Sequence, residues 1–129
     1  MRILLDTHCW LWMQAESKRF SQPVLALLQN PENQLFLSAA SSWEIAIKYA
    51  LGKLPLPLPP TEYVLSRMPT SGTSPLPVQH SHALQAGSLP LHHADPFDRL
   101  LIAQAQLEDL RILTADSQFA AYEVDLLKA

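Results

Sequence analysis

The chain has 129 residues, a length typical of one domain, and 48% of them are apolar, enough for a core without disulfide support. Its net charge of −3 argues against a broad basic surface, although a nuclease can hold phosphate with a few local cations and metal ions. There is one cysteine, no signal-peptide pattern and no apolar run of about 18 residues. We therefore expect a single cytoplasmic domain over residues 1–129, with no membrane span.

The first part of the chain alternates short apolar runs with helical patterns. The predicted elements are a strand over 2–6, a helix from Thr7 with Thr7 as its cap, a helix over 21–31, a strand over 34–38 and a helix over 41–52. Gly52 suits the end of the last of these helices. Strands that alternate with helices are typical of an α/β domain with a mainly parallel sheet.

The middle of the chain differs in composition, since nine of the 11 prolines fall between Pro55 and Pro96. Short helices are predicted there over 61–68 and 80–87, and residues 69–77 (PTSGTSPLP) are predicted to be a mobile loop. Regular structure then returns. The final predicted elements are a helix from Pro96 to about Leu107, a strand over 111–114, a short helix near 117–122 and a strand near 123–127.

Four acidic residues are predicted to meet at one edge of the sheet. Asp6 ends the first strand, and Asp116 comes two residues after the strand 111–114. Glu44 and Asp98 lie near the starts of their helices. In a parallel sheet these positions all face the carboxyl ends of the strands, where ligands of α/β domains bind.

An acid at a helix start can also be structural, because it caps the helix or favours its dipole. Pro96 at the first helical position makes Asp95 the cap, whereas Asp98 shares a face with three apolar residues, Leu101, Ile102 and Ala105. Glu44 similarly shares a face with Ile47 and Leu51. We therefore expect Asp98 and Glu44 to point inward, toward the strand ends.

Converging carboxylates repel one another, and a hard divalent cation such as Mg²⁺ or Mn²⁺ relieves the repulsion. Such a site activates water and clamps phosphate oxygens, so metal-dependent phosphodiester hydrolysis is the reaction that fits. Two alternatives remain open. One is a metal-dependent phosphohydrolase, and the other is a non-catalytic module that binds a partner and whose acids only cap helices.

The histidines and tryptophans favour ordinary structural roles. A zinc site at His92 and His93 is disfavoured, because adjacent histidines point apart, and His93 is expected to pack or hydrogen-bond near the helix start. His80 and His82 are expected on the surface. Three tryptophans can stack on bases, but core or interface packing is the better explanation for Trp10, Trp12 and Trp43.

Four blocks of the sequence resemble, in order and spacing, the signature blocks of PIN-domain proteins, with VapC-type toxins as the nearest likeness. They are LLDTHCWLW, SAASSWEIAIKYALGKL, LPLHHADPFDRLLIAQAQ and ILTAD. The resemblance implies a PIN-like three-layer α/β/α fold with a mainly parallel central sheet. It also implies an endoribonuclease that uses Mg²⁺ or Mn²⁺ on structured RNA such as tRNA or rRNA, is neutralised by a small VapB-like antitoxin and forms a homodimer.

The resemblance also assigns residues. The family's four acids fall on Asp6, Glu44, Asp98 and Asp116, as catalytic and metal-binding carboxylates. A small hydroxyl beside the first acid corresponds to Thr7, and Ser38 and Thr114 are further candidates for binding a ligand or water. From its position beside Asp98, Arg99 is expected on the surface, where a solvated helix arginine is favoured over the alternative of a contact with RNA phosphate. Cleavage is expected to leave a 3′-hydroxyl and a 5′-phosphate.

Overall fold

The computed structural model describes residues 1–129 and contains one five-stranded sheet with helices on both sides. The strands are β1 (Arg2–Leu5), β2 (Gln34–Ser38), β3 (Thr73–Leu76), β4 (Arg111–Thr114) and β5 (Leu126–Lys128). The helices are α1 (Thr7–Ala15), α2 (Gln22–Gln29), α3 (Ala39–Ala50), α4 (Pro60–Thr70), α5 (His80–Ser88) and α6 (Pro96–Glu108). Short 3₁₀ turns occupy Ser17–Arg19 and Ser117–Ala121.

The sheet is parallel throughout, in the order β3-β2-β1-β4-β5. Successive side chains of a strand point to opposite faces, and β1 shows this alternation. Ile3 and Leu5 enter a core formed with α1 to α4, whereas Leu4 enters a second core formed with α5 and α6. The three-layer α/β/α fold with a parallel central sheet is thereby confirmed. None of the helices is long and apolar enough to cross a membrane.

The strand β3 was not predicted. Residues 69–77 were expected to form a mobile loop, but they complete α4 and then pair with β2, in a register that places Thr73 beside Leu35. Gly72 has a φ of +70°, which glycine adopts without steric cost, and it turns the chain from the helix into the strand. Pro75 is tolerated because β3 lies at the edge of the sheet, where one ladder donor can be missing.

The start of α3 also differs from its prediction. The helix begins at Ala39 rather than Ser41, because the hydroxyl of Ser38 accepts the backbone N–H of Ala40 and so caps it. Ser41 therefore lies inside the first turn and is completely buried. The helix ends as predicted, with Gly52 in the left-handed region at a φ of +71°.

Because the strands are parallel, their carboxyl ends meet at one edge of the sheet. In the register of the three central strands, Leu4 lies beside Phe36 and Leu5 lies beside Leu113. The chain therefore leaves β1, β2 and β4 at the same edge. Asp6, α3 and Asp116 all follow directly from these strand ends.

Candidate functional site

Asp6 lies at the carboxyl end of β1 and is almost fully buried, with 5% of its surface exposed. Its two oxygens have different partners. Oδ1 accepts the backbone N–H of Cys9 at 2.7 Å and caps α1. The prediction that Thr7 caps this helix was therefore wrong. Oδ2 accepts the hydroxyl of Thr114, at the end of the neighbouring strand β4. These two contacts fix the orientation of the carboxylate.

Glu44 is held by a hydroxyl and a cation. The hydroxyl of Thr7 donates to Oε1 at 2.7 Å, and Lys48, one turn along α3, donates to Oε2. This hydrogen bond to Glu44 raises the pKa of Lys48 above its ordinary value. Glu44 is 3% exposed, so the expected inward orientation holds. Leu51, which was predicted to share the inward face of the helix with Glu44, is instead exposed.

The two aspartates at the start of α6 have separate roles. Asp95 is the N-cap and accepts the backbone N–H groups of Phe97, at 2.9 Å, and Asp98, at 3.2 Å. Pro96 occupies the first helical position, as predicted. Asp98 lies on the helix face that also carries the buried residues Leu101 and Ile102, and its side chain is 17% exposed.

Asp98 and Asp116 meet at His93, which hydrogen-bonds near the start of α6 as expected, although its contact with two of the site acids was not predicted. Nε2 of His93 lies 2.8 Å from Oδ2 of Asp98 and 3.5 Å from Oδ2 of Asp116. One ligand atom from each of the three residues lies within 4.8 Å of the other two. Asp6 and Glu44 lie outside this group. The sequence indicated a hydrogen bond of His93 near the start of α6, but not its partners, because these depend on the path of the loop before the helix.

The electrostatics of this group favour a cation. Burial, followed by the negative charges of Asp95 and Glu44, raises the pKa of the Asp98 carboxyl to about 7, against a lowering by its hydrogen bond with His93. A carboxyl with such neighbours is costly to ionise, and a bound divalent cation removes that cost. The donor set is mostly carboxylate oxygen, which suits a hard cation.

Hydrogen bonds through Thr114 connect Asp6 to Asp116, and electrostatic repulsion couples Glu44 to Asp98. The hydroxyl of Thr114 donates to Asp6 and accepts the backbone N–H of Asp116 at 3.0 Å. The charge of Glu44 reaches Asp98, since it contributes to the raised pKa of that group. The structure thus brings all four predicted acids to one edge, although only Asp98 and Asp116 share a group of adjacent ligand atoms.

Of the other predicted site residues, some hydrogen-bond to the acids of the site and others lie away from it. Thr7 and Thr114 hydrogen-bond to acids of the site, whereas Ser38 is fully buried and caps α3. The prediction for Arg99 was wrong. This residue is 8% exposed and donates to backbone carbonyls, so it is not available to RNA phosphate. His82 is also buried rather than on the surface, and it bonds to Glu108.

A pair of aromatic residues, of which one is exposed and one is half-buried, lies beside the acids. Trp43 is 61% exposed, and its ring packs edge-on against Phe97 with centroids 5.3 Å apart. Each of these residues directly precedes a site acid, Glu44 or Asp98. Trp10 in contrast is part of the core, as expected.

Comparisons with known proteins identify the family of this chain. The family model for the PIN domain matches residues 3–125. Ribonuclease VapC16 of Mycobacterium tuberculosis is 58% identical over 57 residues, which are 44% of this chain and 40% of that protein. The chain therefore aligns with less than half of this curated relative.

Two solved structures are similar in fold. VapBC2 from Rickettsia felis, bound to a promoter DNA fragment, has a TM-score of 0.74 at 16% identity, covering 99% of this chain and 98% of that chain. A toxin–antitoxin complex from Klebsiella pneumoniae has a TM-score of 0.60 at 16% identity, covering 97% and 95%. At such identities the likeness concerns the fold alone. The family model, which matches nearly the whole sequence, shows that the chain belongs to the PIN domain family.

Proposed function

We propose that this protein is a metal-dependent endoribonuclease and the toxin of a toxin–antitoxin pair. The observation that carries the proposal is the group formed by His93, Asp98 and Asp116 at the strand edge where Asp6 and Glu44 also lie. The partial match to a ribonuclease of the VapC type supports RNA as the substrate. A PIN domain without this acidic edge would not support hydrolysis.

The metal in this proposal is Mg²⁺ or Mn²⁺, and Asp6, Glu44, Asp98 and Asp116 would hold it, directly or through water. Carboxylate oxygens are the preferred ligands of both ions. When bound, a divalent cation would supply Lewis acidity toward a phosphate oxygen and would lower the pKa of water in the site.

The chain's own residues prepare the site for that chemistry. Thr114 and Thr7 fix one oxygen each of Asp6 and Glu44, so that these carboxylates are oriented before any ligand arrives. Lys48 neutralises part of the charge of Glu44. Without a cation the acidic edge repels the RNA backbone, and therefore phosphate and metal are expected to bind together.

Trp43 and Phe97 supply a binding surface for RNA. Base stacking on an aromatic ring contributes about 1–3 kcal/mol and requires an unpaired base. The exposed face of Trp43, next to Glu44, is placed to receive such a base near the scissile phosphate. This arrangement favours an unpaired loop of a structured RNA, such as tRNA or rRNA, over a continuous duplex.

Partners and organisation belong to the same proposal. Residues 1–129 act as one PIN-like domain, because a single sheet joins β1 at one end of the chain to β5 at the other. The protein forms a homodimer in the cytoplasm, where its RNA substrate is found, and a small VapB-like antitoxin neutralises it. Similar folds occur in solved toxin–antitoxin complexes. Expression without the antitoxin is expected to arrest growth, and its co-expression to restore it.

Cleavage of total cellular RNA by the purified protein tests the activity. We expect Mg²⁺ or Mn²⁺ to support cleavage and EDTA to stop it. Asp98→Asn should abolish cleavage, whereas Asp109→Asn, the same change at the other end of α6, should leave it intact. Asp109 is exposed and has a φ of 55°, which asparagine tolerates, so it is a matched control.

The two alternatives give different results in this assay. A phosphohydrolase acting on small monoesters releases inorganic phosphate without shortening RNA. A non-catalytic binding module leaves RNA intact with or without the metal. Equal cleavage by the wild type and Asp98→Asn would contradict the assignment of the site.

A further inference from the structure

The segment between α5 and α6 has no regular secondary structure, yet it carries His93 into the acidic site. An unrestrained loop would not place a side chain reproducibly between two carboxylates. Two buried side chains restrain this loop. They are Arg99 from α6 and Tyr122, which follows the 3₁₀ turn after β4.

Tyr122 fixes the loop through its hydroxyl. The oxygen accepts the backbone N–H groups of His92, at 3.1 Å, and His93, at 2.8 Å. The hydroxyl donates to the carbonyl of Pro90 at 2.7 Å. One phenol group thus binds three backbone polar groups of a loop that has no regular hydrogen bonding of its own.

Arg99 fixes the same loop from the helix side. Nη2 donates to the carbonyls of Ala86, at 2.8 Å, and Leu89, at 2.9 Å. Nη1 donates to Pro90 at 2.9 Å and to the carbonyl of His93 at 3.3 Å. A buried guanidinium is costly unless its donors are paired, and here the loop carbonyls pair them. The backbone of His93 is therefore bound at its N–H by Tyr122 and at its carbonyl by Arg99.

This restraint places the imidazole ring of His93 next to the carboxylates of Asp98 and Asp116. Nε2 lies 2.8 Å from Asp98 and 3.5 Å from Asp116, while the ring packs edge-on against Phe119. We propose that His93 is a positioning residue that donates its Nε2–H to Asp98 and sets the spacing of Asp98 and Asp116 for the metal, and that Arg99 and Tyr122 hold it there. The inference rests on the proposed metal site. Hydrogen-bonding partners of this kind typically change metal affinity about 10- to 100-fold.

Mn²⁺ titration of the purified protein by calorimetry, without RNA, tests the role of the imidazole. We expect His93→Ala to lower the affinity for Mn²⁺ about 10- to 100-fold. His93→Gln should recover most of this loss, because the amide nitrogen of glutamine is as many bonds from Cα as Nε2 and can donate to Asp98. The control is His80→Gln, at an exposed position at the start of α5, which should bind as the wild type does.

Two results would overturn the role of His93. One is an unchanged affinity for Mn²⁺ in His93→Ala. The other is a glutamine variant no better than the alanine variant, which would indicate that the imidazole is itself a ligand. Failure of the proposed function is distinguishable from both, since the wild type would then bind no Mn²⁺ or cleave no RNA.

Tyr122→Phe tests the restraint separately, because it removes only the hydroxyl. The variant should melt cooperatively and bind Mn²⁺ with an affinity between those of the wild type and His93→Ala. Tyr49→Phe, on the outer part of α3, provides the matched control. If the two phenylalanine variants bind Mn²⁺ equally well, the hydroxyl of Tyr122 does not position His93. Should Tyr122→Phe not fold, Arg99→Lys replaces it, since lysine keeps the charge but cannot reach all four carbonyls.

Discussion

The hydroxyl of Thr114 donates a hydrogen bond to Oδ2 of Asp6, joining two adjacent strands through residues that are 108 positions apart in the sequence. The hydroxyl oxygen of Thr114 also accepts the backbone N–H of Asp116. One threonine therefore orients the first and the last of the proposed metal ligands. The site depends on a neutral side chain as well as on its acids.

Thr114→Val tests this dependence. Valine keeps the shape and the strand preference of threonine but leaves Oδ2 of Asp6 without its donor, so affinity for Mn²⁺ should fall about 10- to 100-fold. Stability should fall by about 1 kcal/mol. Thr114→Ser keeps the hydroxyl and should bind nearly as the wild type does. Calorimetric titration measures both variants, and an unaltered affinity in Thr114→Val would show that the hydroxyl is dispensable.

Asp95→Ala should affect stability much more than activity. The substitution removes the acceptor for two backbone N–H groups at the start of α6, and loss of such a cap costs about 1 kcal/mol. Asp95→Asn should cost less, because asparagine also caps helices. Urea denaturation of the metal-free protein measures the difference. Metal-dependent cleavage should persist in both variants below their melting temperatures, and its loss would make Asp95 part of the site.

The stabilisation by Mg²⁺ should grow with pH. The pKa of Asp98 is raised from 3.8 to about 7, so the folded metal-free protein binds this proton more tightly than the unfolded chain does. Its unfolding free energy should therefore decrease as pH rises from about 4 to about 7. Mg²⁺ competes with the same proton, so its stabilisation should be small at about pH 5.5 and large at about pH 8.

Thermal melting with and without Mg²⁺ at several pH values checks this expectation. In Asp98→Asn the residue at position 98 no longer titrates. Most of the rise in melting temperature caused by Mg²⁺ should be lost, and what remains should not depend on pH. An equal rise in melting temperature at both pH values in the wild type would indicate that the ion binds away from Asp98.

Trp43→Ala should weaken RNA binding without altering the metal site. The side chain is mostly exposed, so its loss removes stacking worth about 1–3 kcal/mol rather than core packing. We expect a KM for RNA about 10- to 100-fold higher, with Trp43→Phe intermediate and Mn²⁺ affinity unchanged. Leu84→Ala, at a residue 75% exposed on α5, is the control. A wild-type KM in Trp43→Ala would place the bound base elsewhere.

Local patterns in the sequence predicted most of the architecture. Strand and helix periodicities were clear where apolar residues dominate, and the parallel order then required Asp6, Glu44 and Asp116 to meet at one edge. Pro96 fixed the register of α6, which separated Asp98 from its neighbouring cap. These features depend on residues near one another in the chain.

The errors concern contacts between distant segments. β3 is short and contains a proline, and it is a strand only because β2 offers a partner. Arg99 looks like an ordinary surface cation of a helix, and its burial depends on carbonyls gathered from the preceding loop. His93 was expected to hydrogen-bond near the start of α6, but its contacts with Asp98 and Asp116 depend on the path of the preceding loop. Tertiary structure determines all three, so no local pattern revealed them.

The two outer strands have a consequence for how this protein assembles. β5 has three residues, and β3 has four, one of them Pro75. Short edge strands, and edge strands that contain a proline, are poor templates for strand addition, which protects a sheet from growing by aggregation. If a second copy or an antitoxin binds as proposed, we therefore expect it to dock on the helical layers rather than to add a strand to the sheet.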